Sequence, residues 1–298
     1  MNRPNLFLIG AMKSGTTTLH ELLATHPQLS MCEPKEPCHF VDPAVLERHW
    51  PEMWRKGYWR DEAAYLALFP AKPRARYWGE SSTDYTKGPL IDGVAERIAA
   101  YNPEARFVYI MRDPIERTIS HYWHMVELRG ETRAPLDAIR AEPHYTQVSD
   151  YAYQLWPFVE RFGRERLHTL SFESLRRDPQ AAVRGVFAWL GVDTDFVPEA
   201  IDGAHNVTPE QVRQKRASAG ALDRLRHSGL WDRVGPLVPP AVRRLGVAMV
   251  ERQVARRDVD MTEVVNYLRP LQQAQTRALQ TLLGCEFPEW QTLWGAGP

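Results

Sequence analysis

The chain has 298 residues, with 37 lysines and arginines against 37 aspartates and glutamates, 44% hydrophobic and 25% charged residues. This is the composition of an ordinary folded protein, and a net charge of zero gives no global positive field for holding nucleic acid, so any anion site has to be local. Three cysteines, Cys32, Cys38 and Cys285, form no disulfide framework; no run approaches the ~20 apolar residues of a membrane span, and the apolar run 6–9 is short of a signal-peptide core of roughly 7–15 residues. The expectation is a cytoplasmic protein without a transmembrane segment.

In the first half, short β-like runs alternate with helical patterns, which predicts an α/β fold with a mostly parallel sheet covered by helices. Residues 6–9 read as a buried strand. A helix follows over 17–24, with Leu19, Leu22 and Leu23 facing the sheet and His26-Pro27 stopping it. A second strand is expected at 77–80, then a helix over 89–101 with Leu90, Val94 and Ile98 on one face. Residues 106–111 form the clearest strand, after which Asp113 caps a helix with Pro114 in its first turn. Beyond these come a helix at 151–162, a strand at 167–171 and a helix at 179–190 ended by Gly191. After about residue 204 the alternation stops, and the arginine-rich tail offers helices near 241–257 and 262–283.

The segment Gly10-Ala-Met-Lys13-Ser14-Gly15-Thr16-Thr17-Thr18 joins the first strand to the first helix. Its two glycines let backbone N–H groups converge on an anion, and the helix N-terminus adds its unpaired donors and positive dipole end. A nucleotide kinase needs lysine directly after the second glycine. Thr16 stands there, and the lysine lies inside the loop at Lys13. Further on, Arg112 ends the strand 106–111 and Ser120 lies two turns into the next helix. An arginine fork at the carboxyl end of a strand suits phosphate.

These two motifs, in this order, resemble the sulfotransferases that use 3′-phosphoadenosine 5′-phosphosulfate (PAPS), and specifically the branch of heparan sulfate sulfotransferases and their bacterial relatives. The resemblance is strong up to residue 190 and weak over 205–260. It implies a P-loop-NTPase-like three-layer fold with a helical C-terminal extension. It also implies one domain over 1–298, with a nucleotide-binding core at 1–203 and an arginine-rich helical lid and closing helix at 204–298. PAPS is then the co-substrate and 3′-phosphoadenosine 5′-phosphate (PAP) the product, with no metal. Lys13, Ser14, Gly15, Thr16, Thr17 and Thr18 hold the 5′-phosphate, Arg112 and Ser120 grip the 3′-phosphate, and Arg213 and Arg216 belong to a nucleotide-covering loop.

Sulfuryl transfer needs a base for the acceptor proton and charge stabilisation at the leaving phosphate. By resemblance, the stretch Lys35-Glu36-Pro37 carries the base Glu36, Lys13 stabilises the bridging oxygen, and Lys35 helps hold the donor. From the residues alone, Lys35 and Glu36 also read as a solvated loop pair. His39 is a rival base, and Cys38 stands where heparan-type enzymes often have histidine. Glu80 is a second carboxylate, Ser81 replaces a common family lysine, and Tyr151 opens a helix beside the acceptor, so Lys35, His39, Glu80, Ser81 and Tyr151 are expected to line the substrate side. Trp50, Trp54, Tyr58, Trp59 and Tyr65 either stack on the acceptor or pack a helix on the core. The acceptor is a small molecule, carbohydrate or lipid. The alternatives are a P-loop nucleotide kinase, which lacks its glycine-lysine pair here, and a non-catalytic nucleotide-binding protein.

Overall fold

The computed structural model describes residues 3–198, 209–215 and 251–295. The chain forms two compact units, the first from Met1–Thr118, His144–Asn206 and Leu268–Pro298, the second from Ile119–Pro143 and Val207–Tyr267.

The first unit is a three-layer α/β structure. Its sheet contains β1 (Leu6–Gly10), β2 (Leu29–Met31), β3 (Tyr77–Ser81), β4 (Arg106–Met111) and β5 (Leu167–Ser171), in the order β2-β3-β1-β4-β5. Every pairing is parallel, with Leu8 opposite Ser81 on one side and Val108 on the other. A central parallel strand is covered on both faces, so it reads as a continuous apolar run. In β1, Leu6, Phe7, Leu8 and Ile9 are all buried. On one face, Leu6, Leu8, Val108 and Ile110 pack with Leu19, Leu22 and Leu23 of α1 (Thr16–Thr25) and with Val183, Val186, Phe187 and Leu190 of the helix Pro179–Leu190. On the other, Phe7 stacks on Phe107 at 5.8 Å and meets Phe40 edge-on at 5.7 Å, while Phe107 meets Phe158 of the helix Tyr151–Phe162 at 5.1 Å. Each such side chain contributes roughly 1.5–3 kcal/mol on burial. Because β1 has β3 on one side and β4 on the other, the loops after these three strands meet at the carboxyl edge, where open α/β sheets bind ligands.

Several elements run over the expected residues, including β4, β5 and the helices at 151–162 and 179–190. The helix expected over 89–101 is shorter, Val94–Tyr101, because Gly93 takes a left-handed conformation (φ 65°) at its N-terminus and Leu90 lies outside it, exposed. The helix Pro114–Arg129 runs from the first unit into the second. Asp113 Oδ1 caps it, accepting the N–H groups of Ile115 (3.0 Å) and Glu116 (3.4 Å).

In the second unit, β6 (Gln211–Lys215) and β7 (Glu251–Ala255) pair antiparallel, with Val212 opposite Val254. This overturns the expected helix over 251–255; the ladder to β6 and the burial of Val212 decide the conformation. Residues 241–250 of that expected helix lie outside the described residues. The long helix Thr262–Leu283 follows as expected. After it, Trp290 is fully buried, stacked on Phe287 at 4.1 Å and lying 5.9 Å from Tyr151. Among the described residues, no helix is long and apolar enough to cross a membrane.

Candidate active site

The loop after β1 is shaped by contacts that exclude side chains. A Cβ on Gly10 would meet Thr86 Oγ1 at 2.3 Å and Tyr109 Cε2 at 2.6 Å. Gly15 has φ 87°, and a Cβ there would lie 2.8 Å from Phe172 Cδ2. Lys13 is also left-handed, at φ 67°. Thr16, Thr17 and Thr18 open α1, whose N-terminus has neither a capping side chain nor an acidic residue in its first turn. Inside the loop the Ser14 hydroxyl is wholly buried and has no hydrogen-bond partner. A buried hydroxyl in that state costs about 1–3 kcal/mol, and an oxyanion in the cradle removes the cost. The loop residues therefore fit a phosphate group.

Arg112 follows β4. Its backbone is pinned by Tyr151, whose hydroxyl donates to the Arg112 carbonyl at 2.7 Å and accepts its N–H at 3.4 Å. Its guanidinium pairs with Glu116 at 3.3 Å and lies 5.1 Å above the centre of the Phe172 ring, at the start of the helix Phe172–Arg177. Ser120 is buried in the second unit, on the helix that Asp113 caps. Arg213 lies on β6, and Arg216 falls outside the described residues.

The loop carrying Glu36 is fastened along β3 and its continuation. The N–H groups of Cys32 and Glu36 donate to the carbonyls of Gly79 (2.8 Å) and Ser81 (2.9 Å), that of Cys38 to Ser82 Oγ (3.1 Å) and that of Phe40 to the Tyr85 hydroxyl (3.1 Å). Glu36 adopts φ 62°. Its Oε1 accepts Lys35 Nζ at 2.6 Å and Thr83 Oγ1 at 3.2 Å. Burial alone would raise this carboxyl, but the Lys35 ammonium, the Lys87 charge and the Thr83 hydroxyl outweigh it and hold it below its ordinary value. Lys87 is buried, ion-paired with Asp84, and lies 4.9 Å from the centre of the Trp50 ring. Asp84 Oδ2 also accepts the Cys38 thiol at 3.2 Å.

Three residues expected on the substrate side are differently used. Glu80 is 0% exposed, and its carboxylate accepts hydroxyls from Tyr65, Tyr85 and, at 2.7 Å, Ser82, so it has no face to offer an acceptor. Burial pushes its carboxyl up, against the pull of those three donors. Ser81 is equally buried, with its hydroxyl 2.7 Å from His20 Nδ1. Burial and, next, the Lys35 charge push His20 down to about 4. Tyr151 is spent on the Arg112 backbone. His39 stacks on Tyr65 at 3.9 Å, and its Nδ1 lies 2.7 Å from the Tyr58 carbonyl. A carbonyl only accepts, so Nδ1 carries the proton and only Nε2 is left to take one.

Thr83 and Asp84 lie in the stretch 78–85, whose likeness to the family segment after a strand marks it in the sequence, whereas Thr86, Lys87, His20 and Phe172 are not singled out there. The run Thr83-Asp84-Tyr85-Thr86-Lys87 carried a signal, four polar groups directly after a strand at the ligand edge of the sheet. Phe172 carried none.

The anion cradle after β1 and the acid-bearing loop fastened to the neighbouring β3 thus both lie at the carboxyl edge of the sheet. A sequence profile of the sulfotransferase family matches residues 4–196, and the chain belongs to that family. Among curated relatives, the membrane-associated sulfotransferase kil1 of Dictyostelium discoideum is 26% identical over 132 residues, 44% of this chain and 25% of that protein. The heparan sulfate glucosamine 3-O-sulfotransferase 3B1 of Mus musculus is 25% identical over 198 residues, 63% and 46% respectively. The chain thus spans less than half the length of either relative. In structure, a sulfotransferase from Alicyclobacillus acidocaldarius is 27% identical, with a TM-score of 0.66 over 98% of this chain and 100% of that one.

Proposed function

We propose that the protein transfers the sulfuryl group of PAPS to a hydroxyl or amine of an acceptor by direct in-line displacement, with Glu36 as general base. The Glu36 carboxylate takes the acceptor proton as the acceptor oxygen or nitrogen bonds to sulfur. The bond from sulfur to the 5′-phosphate oxygen breaks, and PAP leaves with Lys13 beside that oxygen. Loop residues 13–18 take the 5′-phosphate. The roles of Arg112 and Ser120 at the 3′-phosphate, and of Arg213 and Arg216 at the nucleotide, are assigned from sequence resemblance. Lys35 helps hold the donor and, with His39, lines the acceptor side, and no step needs a metal.

The observation that carries this reading is the partnerless, buried Ser14 hydroxyl in a loop one strand away from a held carboxylate: Glu36 is bonded to Ser81, and Ser81 pairs with Leu8 of β1. The acceptor is a carbohydrate, lipid or other small molecule, and the name of the mouse relative favours a sugar hydroxyl.

Thermal melting tests the donor. PAP at a hundred times its dissociation constant stabilises by about 2.7 kcal/mol, while ATP with magnesium leaves the melting temperature unchanged; the reverse result establishes the kinase reading. Glu36→Gln tests the base. PAP binding persists while transfer falls by a factor on the order of 10² to 10⁴, and full transfer by this variant removes Glu36 from the mechanism.

A further inference from the structure

Glu36 has two kinds of partner. The Ser81 carbonyl, at the end of β3, holds its backbone at 2.9 Å, and the Thr83 hydroxyl, in the buried residues just after the strand, holds its carboxylate at 3.2 Å. Those holds are fixed. Lys35 differs, because it sits on the same loop as Glu36, and the two side chains that meet at 2.6 Å are 18% and 30% exposed. Its ammonium rides on a flexible four-carbon stem. Its charge is felt by His20 on α1, the helix that the phosphate loop opens.

A carboxylate gripped by an ammonium at this distance makes a strong charge-assisted hydrogen bond and is a poor proton acceptor. The other groups facing Glu36 do not relieve this. Lys87, although paired with Asp84, adds positive charge that lowers the carboxyl further, Thr83 donates rather than accepts, and burial keeps His20 neutral.

We propose that Lys35 is a donor-operated latch: it closes on the Glu36 carboxylate in the donor-free protein and passes to the sulfuryl oxygens of PAPS, so that the base is uncovered only when the donor is in place. Lys35 keeps its proton throughout and changes only its hydrogen-bond partner. Glu36 stays in position on Ser81 and Thr83, and PAPS therefore binds productively before the acceptor. The proposal rests on the reading of Glu36 as the base.

The test is carbon-13 NMR of the Glu36 carboxyl in the full chain, assigned by its loss in Glu36→Gln and titrated with and without PAPS in the absence of acceptor. In the wild type, PAPS shifts the Glu36 titration upward and PAP does not. In Lys35→Met the titration is already raised without donor, and the PAPS-induced change is lost. Lys35→Arg, which keeps the charge, retains a PAPS-induced change. PAP melting shifts equal to the wild type show that each variant is folded. The latch is overturned if PAPS leaves the wild-type carboxyl unmoved, if Lys35→Met titrates like the wild type, or if PAP shifts it as much as PAPS. Full transfer by Glu36→Gln removes the base reading instead, and leaves these titrations intact as a separate result.

Discussion

The guanidinium of Arg112 lies over the ring of Phe172, 5.1 Å from its centre, and the same ring lies against Gly15, where a Cβ would come within 2.8 Å of it. One aromatic side chain thus sets the spacing between the phosphate loop and the arginine after β4. Gly15→Ala meets both the ring and a left-handed backbone that costs an L-residue about 1–2 kcal/mol, so PAP binding weakens about tenfold or more. Phe172→Ala forfeits a cation–π contact of about 0.5–2 kcal/mol and weakens PAP about two- to thirtyfold. Because the two changes act on one contact, the double variant loses less than the sum. Calorimetric titration with PAP checks all three, and strictly additive losses sink the coupling.

Tyr65 and Tyr85 both donate to Glu80, but only the Tyr85 hydroxyl also accepts the Phe40 N–H, at 3.1 Å. Changing either to phenylalanine lowers stability by about 1–3 kcal/mol, the cost of an unmet buried partner. Tyr85→Phe also unfastens one end of the loop that carries Glu36. Assayed well below both melting temperatures, Tyr85→Phe loses transfer activity about tenfold or more, taking a lost hydrogen bond at its upper magnitude, while Tyr65→Phe retains it. Equal rates in the two variants refute the role of this bond in placing the loop.

Placing a lysine at position 81 is expected to fail. Ser81 is 0% exposed and bonded to His20, so Ser81→Lys buries an ammonium and takes from His20 Nδ1 its hydroxyl partner. Loss of several kcal/mol follows from an unpaired buried charge, visible as a lowered denaturation midpoint. A folded Ser81→Lys protein of wild-type stability contradicts this packing.

His20 is 8% exposed, with its imidazole pushed from the ordinary 6.5 down to about 4. Between these values the unfolded chain binds a proton that the folded chain refuses, so stability is full above about 6.5 and declines as pH falls toward 4. The loss from this residue is on the order of 1–3 kcal/mol. His144 and His168, also pushed down to about 4 chiefly by burial, act in the same direction. Urea midpoints at pH 7 and 4.5 record the loss, and His20→Gln shows a smaller one. An undiminished pH dependence in that variant contradicts the assignment.

The architecture was legible wherever a local pattern settled it. The apolar runs of β1 and β4 could only be buried strands, and Asp113-Pro114 could only begin a helix. The phosphate loop was legible for the same reason, since its glycines, threonines and displaced lysine are contiguous. What escaped the sequence depends on partners far along the chain. Glu80 looks like a strand-end acid until Tyr65, 15 residues before it, is folded onto it. The charged segment Glu251–Ala255 looks helical until Gln211–Lys215 lies beside it. Phe172 acquires its part only when β5 brings it between Gly15 and Arg112. Tyr151 reads as the opening of a helix beside the acceptor until the fold sets its hydroxyl on the Arg112 carbonyl.

The short helical turn Thr83–Thr86 bonds at one end to the Glu36 carboxylate through Thr83 and at the other to the Ile9 carbonyl through Thr86, at 3.2 and 2.7 Å. Both loops are therefore tied to the same four residues, so the separation of cradle and carboxylate is set by one short turn. Thr86→Val removes the bond to Ile9 and keeps the bond from Thr83 to Glu36, so order parameters are expected to fall over residues 10–15 and to hold over 33–38.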